Sequence, residues 1–154
     1  MVRRARPEEA ETLSRLALAS KARWPYPAEQ LAEWRDQLAV SPAEIDANLT
    51  CVAECDGEVV GFYLLCAAQG PWSLEHFWVA PAHMGKGVGR CMLASAARLA
   101  AQAGARSLII AADPFAEGFY LTCGAVRMGA LPAPIASQPA RQLPQLRLDL
   151  QEHP

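Results

Sequence analysis

The 154-residue sequence predicts an α/β domain built on a mixed sheet. Three observations lead there. Segments rich in β-formers alternate with helical patterns in the order β-α-α-β-β-β-α-β-α-β-β. The fourth and fifth strands are joined by a helical crossover, which makes them parallel neighbours. Asp56-Gly57 sits between two apolar runs and marks an antiparallel hairpin in the same sheet.

Each element has its own signal. "MVRRAR" reads as a first strand. Pro7 opens a helix through Ser20, with Glu8, Glu9 and Glu11 at its positive end and Leu13, Leu16, Ala17 and Ser20 as its buried stripe. "RWPYP" breaks it. A second helix follows from Ala28, with Leu31, Trp34 and Leu38 on one face. Ser41 and Pro42 then start a short turn or third helix. The hairpin covers "LTCVAECDGEVVGFYLLCA", and "WSLEHFWVA" is the fourth strand. The next helix runs from about Gly89 to Ala103, burying Val88, Met92, Leu93, Ala96, Leu99, Ala100 and Ala103, and Gly104 stops it. "RSLIIAA" is nearly all apolar, so it is expected in the sheet centre with both faces covered. Asp113 caps a last short helix that ends at Gly124. "AVRMGAL", a proline-rich connection and "QLRLDL" complete the chain.

Composition bounds the function. At 52% hydrophobic, the chain is expected to fold as one globular domain over residues 1–154. Its 14 basic and 16 acidic residues argue against a nucleic-acid partner. Arg3, Arg4 and Arg6 are too few to change that, and read as a solvated strand edge. There is no apolar signal-peptide core and no run long enough to span a bilayer, so a cytoplasmic, membrane-free protein is expected. Cys51, Cys55, Cys66, Cys91 and Cys123 form no CxxC pair, and His76, His83 and His153 are scattered. No metal is therefore expected, and the thiols are expected to be reduced and buried.

The chemistry concentrates in "HMGKGVGR". A Rossmann fingerprint fails because Arg90 stands at the third glycine position. A Walker A loop fails because Lys86 is not followed by Ser or Thr. A structural turn does not need three alternating glycines. The remaining reading is a pyrophosphate cradle at a helix N-terminus. Backbone amides of Gly85, Gly87, Val88 and Gly89 would face the anion, with Lys86 and Arg90 as flanking charges.

With those residues in view, "VAPAHMGKGVGRCML" resembles the acetyl-CoA loop of the GCN5-related N-acetyltransferases, whose pattern is R/Q-x-x-G-x-G/A. Gly87 and Gly89 match its glycines, and Met84 stands where the family usually has Arg or Gln. "DPFAEGFYLTCGAVRMG" resembles the family's next element, and "VRRARPEEAETLSRL" its opening strand and helix. The resemblance covers nearly the whole chain in order. It implies a twisted, mostly antiparallel sheet of six or seven strands, splayed at its parallel pair and flanked by about four helices. It also implies acetyl-CoA as cosubstrate, its pantetheine arm lying along Phe77, Trp78 and Val79.

For the chemistry, the resemblance implies Tyr120 as the acid that protonates the departing thiolate, with Phe119 beside it against the cofactor. A backbone N–H near Val79 would stabilise the carbonyl oxygen. Glu75 is the candidate base, acting directly or through a water, and His76 is its rival. Asp113 either contacts the cofactor arm or serves only as a helix cap. Trp24 and Tyr26 either bind the acceptor or form an apolar lid or dimer contact. The proline-rich loop either walls the pocket or meets a second subunit, giving a homodimer. The expected reaction is direct transfer to a primary amine of a small molecule or peptide, with no acyl-enzyme on Cys123. The alternatives are a CoA-binding regulatory module without transferase activity and a sensor using the Trp24/Tyr26 site.

Overall fold

The computed structural model describes residues 1–67 and 70–151, and His153 lies outside them. In chain order the elements are β1 (Val2–Arg4), α1 (Ala10–Lys21), α2 (Ala28–Leu38), α3 (Pro42–Ala47), β2 (Leu49–Cys55), β3 (Glu58–Cys66) and β4 (Ser73–Val79). Then follow α4 (Val88–Gln102), β5 (Ser107–Ala111), α5 (Glu117–Thr122), β6 (Val126–Pro132) and β7 (Gln142–Asp149). The seven strands form one sheet in the order β1-β2-β3-β4-β5-β7-β6. Every neighbouring pair is antiparallel except β4 and β5, which are parallel. This is the α/β architecture the sequence predicts.

Local chemistry sets the boundaries. α3 starts with a reciprocal cap: the Ser41 hydroxyl accepts the Glu44 N–H at 3.1 Å, and the Glu44 carboxylate accepts the Ser41 N–H at 3.3 Å. The β2–β3 turn places Asp56 at φ 51° and Gly57 at φ 78°. Two positive φ values in a two-residue loop match the right-handed twist of the strands. Arg3 on edge strand β1 is more than a solvated charge. Its guanidinium meets Glu9 at 2.6 Å and Glu54 at 2.8 Å, tying β1 to β2 and to the turn before α1. Arg4 and Arg6 are exposed, as expected.

One core lies on each face of the sheet. On one face, Leu13, Leu16 and Ala17 of α1 meet Phe62 and Leu64 of β3, together with Leu38 and Ile45. On the other, Met92, Leu93, Ala96 and Ala100 of α4 meet Tyr63, Leu65, Leu108, Ile110 and Leu146. The helix stripes lie largely where their spacing puts them. Ser95 adds a polar pin: its Oγ and the Tyr63 hydroxyl share a buried hydrogen bond of 2.8 Å, locking α4 to β3. In α2 the stripe is weaker, with Leu31 and Trp34 only half-buried and only Gln30 and Leu38 buried.

Three expectations change. β5 is covered fully on one face only: Leu108 and Ile110 are buried, Ile109 is half-buried and Ala111 exposed. The strands buried on both faces are β2 and β3, because α1 packs over β3 and β4 and stops short of β5. Ala103, placed in the α4 stripe, is exposed at the helix end, and Val88 and Leu99 are half-buried. The thiols are not uniformly buried: Cys51 is, whereas Cys55 and Cys91 are exposed and Cys66 and Cys123 lie between. An apolar neighbourhood in sequence does not select the inward face at a hairpin end or a helix start.

Gly61 is where α4 approaches β3 most closely. A Cβ there would lie 2.5 Å from the Met92 sulfur and 3.0 Å from the Trp78 carbonyl oxygen. Neither neighbour has room to retreat, since Met92 is fully buried. Gly61→Ala is therefore expected to cost about 1–3 kcal/mol by overpacking. Urea denaturation would report this as a lower midpoint with an unchanged slope.

Candidate active site

The site begins where two parallel strands part. β4 and β5 share a single register pair, Ser73↔Ile109, and the Ile109 N–H donates to the Trp72 carbonyl at 2.9 Å. Beyond it β4 stays with β3 as far as Val79↔Gly61, while β5 follows β7. A bulge marks the divergence. His76 faces Leu64 and Leu74 faces Leu65, so Glu75 is the extra residue, and the bulge bends β4 away. The opened edge of β4, from Phe77 to Val79, forms one wall of a cleft of about 390 Å³. Phe119 and Tyr120 of α5 form part of the other.

The glycine loop closes one end. After a 3-10 turn (Pro81–His83), Gly85 takes φ 74° and Gly87, the residue preceding α4, takes φ 86°. A Cβ on either would meet nothing within 4 Å, so the space above both is open. The first helical bond of α4 runs from the Cys91 N–H to the Gly87 carbonyl. The amides of Val88, Gly89 and Arg90 therefore have no partner within the helix, and they carry the positive end of its dipole. Amides, dipole and open space suit a pyrophosphate. Gly89 serves another purpose: a Cβ there would lie 3.2 Å from the Phe119 ring, so this glycine lets α5 pack against α4. Met84, Gly85, Gly87, Gly89 and Arg90 line the cleft. Lys86 is exposed outside its walls, and the Val88 side chain packs against the core.

Tyr120 is buried at 6% exposure, yet it borders the cleft, and its hydroxyl makes no hydrogen bond to any described residue. Burial pushes its phenol well above the ordinary value, so it stays protonated at neutral pH. Its ring leans on Phe77 and Phe119, with centroids 5.8 and 5.2 Å away. Glu75 is exposed and is not part of the cleft wall. Its carboxylate accepts the Ser73 hydroxyl at 2.6 Å. His76 also lies outside the wall. Its Nδ1 accepts the Trp78 Nε1–H at 3.1 Å, and burial lowers its pKa, leaving a neutral ring with one nitrogen occupied. Cys123 borders a different cavity beside α4.

The opposite end of the cleft rests on a charge cluster that the sequence does not announce. Asp113 caps the turn before α5 by accepting the Phe115 N–H at 2.9 Å. Its other oxygen accepts from Lys21 Nζ at 2.6 Å, the Tyr26 hydroxyl at 2.7 Å and Arg141 Nη2 at 3.2 Å. Lys21 is itself caged by rings. Its ammonium lies 4.6 Å from the centroid of Trp34, 5.2 Å from Tyr26, 5.7 Å from Trp24 and 5.8 Å from Trp78. Burial lowers its pKa while Asp113 opposes that shift. Tyr26 is pushed up to about 12, by burial first and then by Asp113.

This cluster separates residues that the sequence groups together. Asp113 and Tyr26 stand behind the cleft rather than on its wall, while Trp24 lines it and stacks on Phe115 at 6.0 Å. Sequence reasoning misses Ser20, His83 and Phe115 on the wall, and Lys21 and Arg141 behind it. Lys21 has a faint signal, since it closes the buried stripe of α1 one turn after Ala17. Arg141 has none, because it lies in the proline-rich connection.

Among the described residues no group of three metal-ligating side chains comes together, and no helix is long and apolar enough to cross a membrane. Known structures share the fold. No curated protein sequence matches the chain. A GCN5-related N-acetyltransferase from Rhodopseudomonas palustris is 24% identical, with 97% of this chain and 95% of that one covered and a TM-score of 0.83. The paia N-acetyltransferase of Thermoplasma acidophilum, solved in complex with coenzyme A, is 18% identical over 97% and 98% of the two chains, with a TM-score of 0.79. The IAA acetyltransferase of Bacillus cereus is 21% identical over 97% and 99%, with a TM-score of 0.71. Residues 11–125 match the model of the acetyltransferase (GNAT) family. That match spans most of the chain and includes the whole glycine loop, so this protein belongs to the GNAT family and is an acetyl-CoA-dependent N-acetyltransferase.

Proposed function

We propose that residues 1–154 act as one domain that moves an acetyl group from acetyl-CoA to the primary amine of a small molecule or peptide, by direct attack in a ternary complex. The observation that carries this reading is the meeting, in one cleft, of an unpaired strand edge, a helix N-terminus over open glycines and an unpartnered phenol. Acetyl-CoA supplies an activated thioester. The chain's own groups do the rest. Gly85, Gly87 and the first amides of α4 hold the pyrophosphate, with Arg90 as the side-chain charge and Met84 as an apolar neighbour. The open edge at Phe77, Trp78 and Val79 hydrogen-bonds the amide-bearing arm, and an N–H there steadies the carbonyl oxygen.

As the amine nitrogen bonds to the carbonyl carbon, the carbon–sulfur bond breaks. Tyr120 gives its proton to the sulfur. The nitrogen loses one proton, which Glu75, at the bulge where the strands part, receives through water. Glu75 suits this better than His76, whose Nδ1 is already occupied by Trp78. Asp113 acts as a positioning residue, because its carboxylate is fully engaged by Lys21, Tyr26 and Arg141. Cys123 borders a different cavity, which favours direct transfer over an acyl-enzyme.

Three outcomes are expected. Tyr120→Phe should lower kcat roughly 10²- to 10³-fold with little change in the KM for acetyl-CoA, read as CoA release across an amine panel. Turnover equal to wild type would remove Tyr120 from the chemistry. Gly87→Val strains a positive φ and fills the anion's space, so the KM for acetyl-CoA should rise about tenfold or more. Tyr26, Tyr63 and Tyr120 are the chain's three tyrosines, and burial raises all three. A raised folded pKa stabilises fully below the unfolded value of 10 and loses that contribution as pH climbs through the folded value, about 12 for Tyr26. The folded protein should thus show almost no phenolate absorbance at about pH 11, whereas the chain in guanidinium titrates near 10.

A further inference from the structure

We infer that the acceptor is a primary amine carried on the side chain of a flat aromatic ring and bearing no second positive charge, recognised by the Trp24–Trp78–Phe115 wall in front of the Lys21–Arg141 charges. This rests on the transferase reading and names the substrate class of the same site.

The cleft passes through the sheet. Its glycine-loop end lies on the α4 face, where Phe77 and Phe119 join the core. Its other end opens beside the C-terminus of α1, where Ser20, Trp24, Trp78 and Phe115 line it. Trp24 stacks on Phe115 with 23° between the planes, and Trp78 tilts against Trp24 at 54° and 6.4 Å. Three large rings meeting at such angles offer an apolar slot for a fourth.

Charge restricts what enters that slot. Aromatic walls usually welcome cations, but Trp24 and Trp78 already share the Lys21 ammonium. Arg141 lies beside it, over Tyr26 and Trp34. Lys21 and Arg141 bring two positive charges against the single negative charge of Asp113, so the cluster is left with one positive charge in excess. Among the described residues, no Asp or Glu lines the cleft, and its one arginine, Arg90, stands at the glycine-loop end, away from the ring wall. A distal ammonium would enter this slot unpaired, desolvated and repelled. The same field favours the neutral form of the reacting amine, which suits a cleft without a carboxylate on its wall.

The test compares para-methylbenzylamine, para-xylylenediamine and hexylamine as acceptors for the full chain at saturating acetyl-CoA. The first two differ by one distal charge, and the third lacks the ring. We expect kcat/KM for para-methylbenzylamine to exceed both others by about tenfold or more. Lys21→Met should shrink the discrimination against the diamine, and Trp24→Ala should shrink the preference over hexylamine. Equal or better turnover of the diamine or of hexylamine by the wild type overturns the inference. If no amine releases CoA although CoA raises the Tm, the transferase reading fails separately. Quenching of tryptophan fluorescence then decides: selective binding of para-methylbenzylamine over the diamine in the presence of CoA supports the wall, and equal or absent quenching overturns it.

Discussion

The structure turns on the parting of β4 from β5 after a single pair, Ser73↔Ile109. An open strand edge inside a protein leaves N–H and C=O groups without partners, and such groups are satisfied by protein, water or ligand. This edge is kept open by what surrounds it. The bulge at Glu75 bends β4 while β3 holds its far side in register. Gly61 removes the side chain that would push α4 away, and the buried Tyr63–Ser95 bond pins α4 to β3. The N-terminus of α4 is thereby delivered to the mouth of the gap. The unpaired edge and the unpaired helix amides end up on one cleft, which is why a cofactor with a pyrophosphate and an amide-bearing arm suits it.

A second constraint works from the opposite end. Asp113 leaves the end of β5 and meets Lys21 from α1 and Arg141 from the β6–β7 connection. A buried ion pair is weak evidence of stability, because desolvation offsets much of the attraction. Its effect here is geometric: three distant segments are held at one carboxylate. The link carries Trp24 and Phe115 to the cleft and keeps them stacked there. The α4 end thus provides amides for an anion, and the α1 end provides rings backed by positive charge.

Much of this was legible along the chain. The Ser41–Glu44 cap, the Asp56-Gly57 hairpin and the helix stripes are local patterns, and they fold as they read. The glycine loop and the FY pair of α5, singled out along the chain, do line one cleft. Single residues were harder. Gly89 reads only as a phosphate glycine, yet its missing side chain also admits the Phe119 ring. Asp113 reads as a cofactor contact or a helix cap and Tyr26 as an acceptor contact or a lid; Asp113 does cap the turn before α5, and the two also bind each other at 2.7 Å. β5 reads as doubly covered because its composition says nothing of how far α1 reaches.

By itself the sequence determined the order of elements, their caps and turns, and the family. These are encoded at separations of a few residues, where periodicity and backbone preference act. Only the tertiary structure decided what each polar side chain would face. Lys21 finds Asp113 across 92 residues, and Tyr26 finds Arg141 across 115. No local pattern specifies such pairs. They follow from packing two layers of helix on one sheet, which brings buried charges within reach of one another and obliges them to pair.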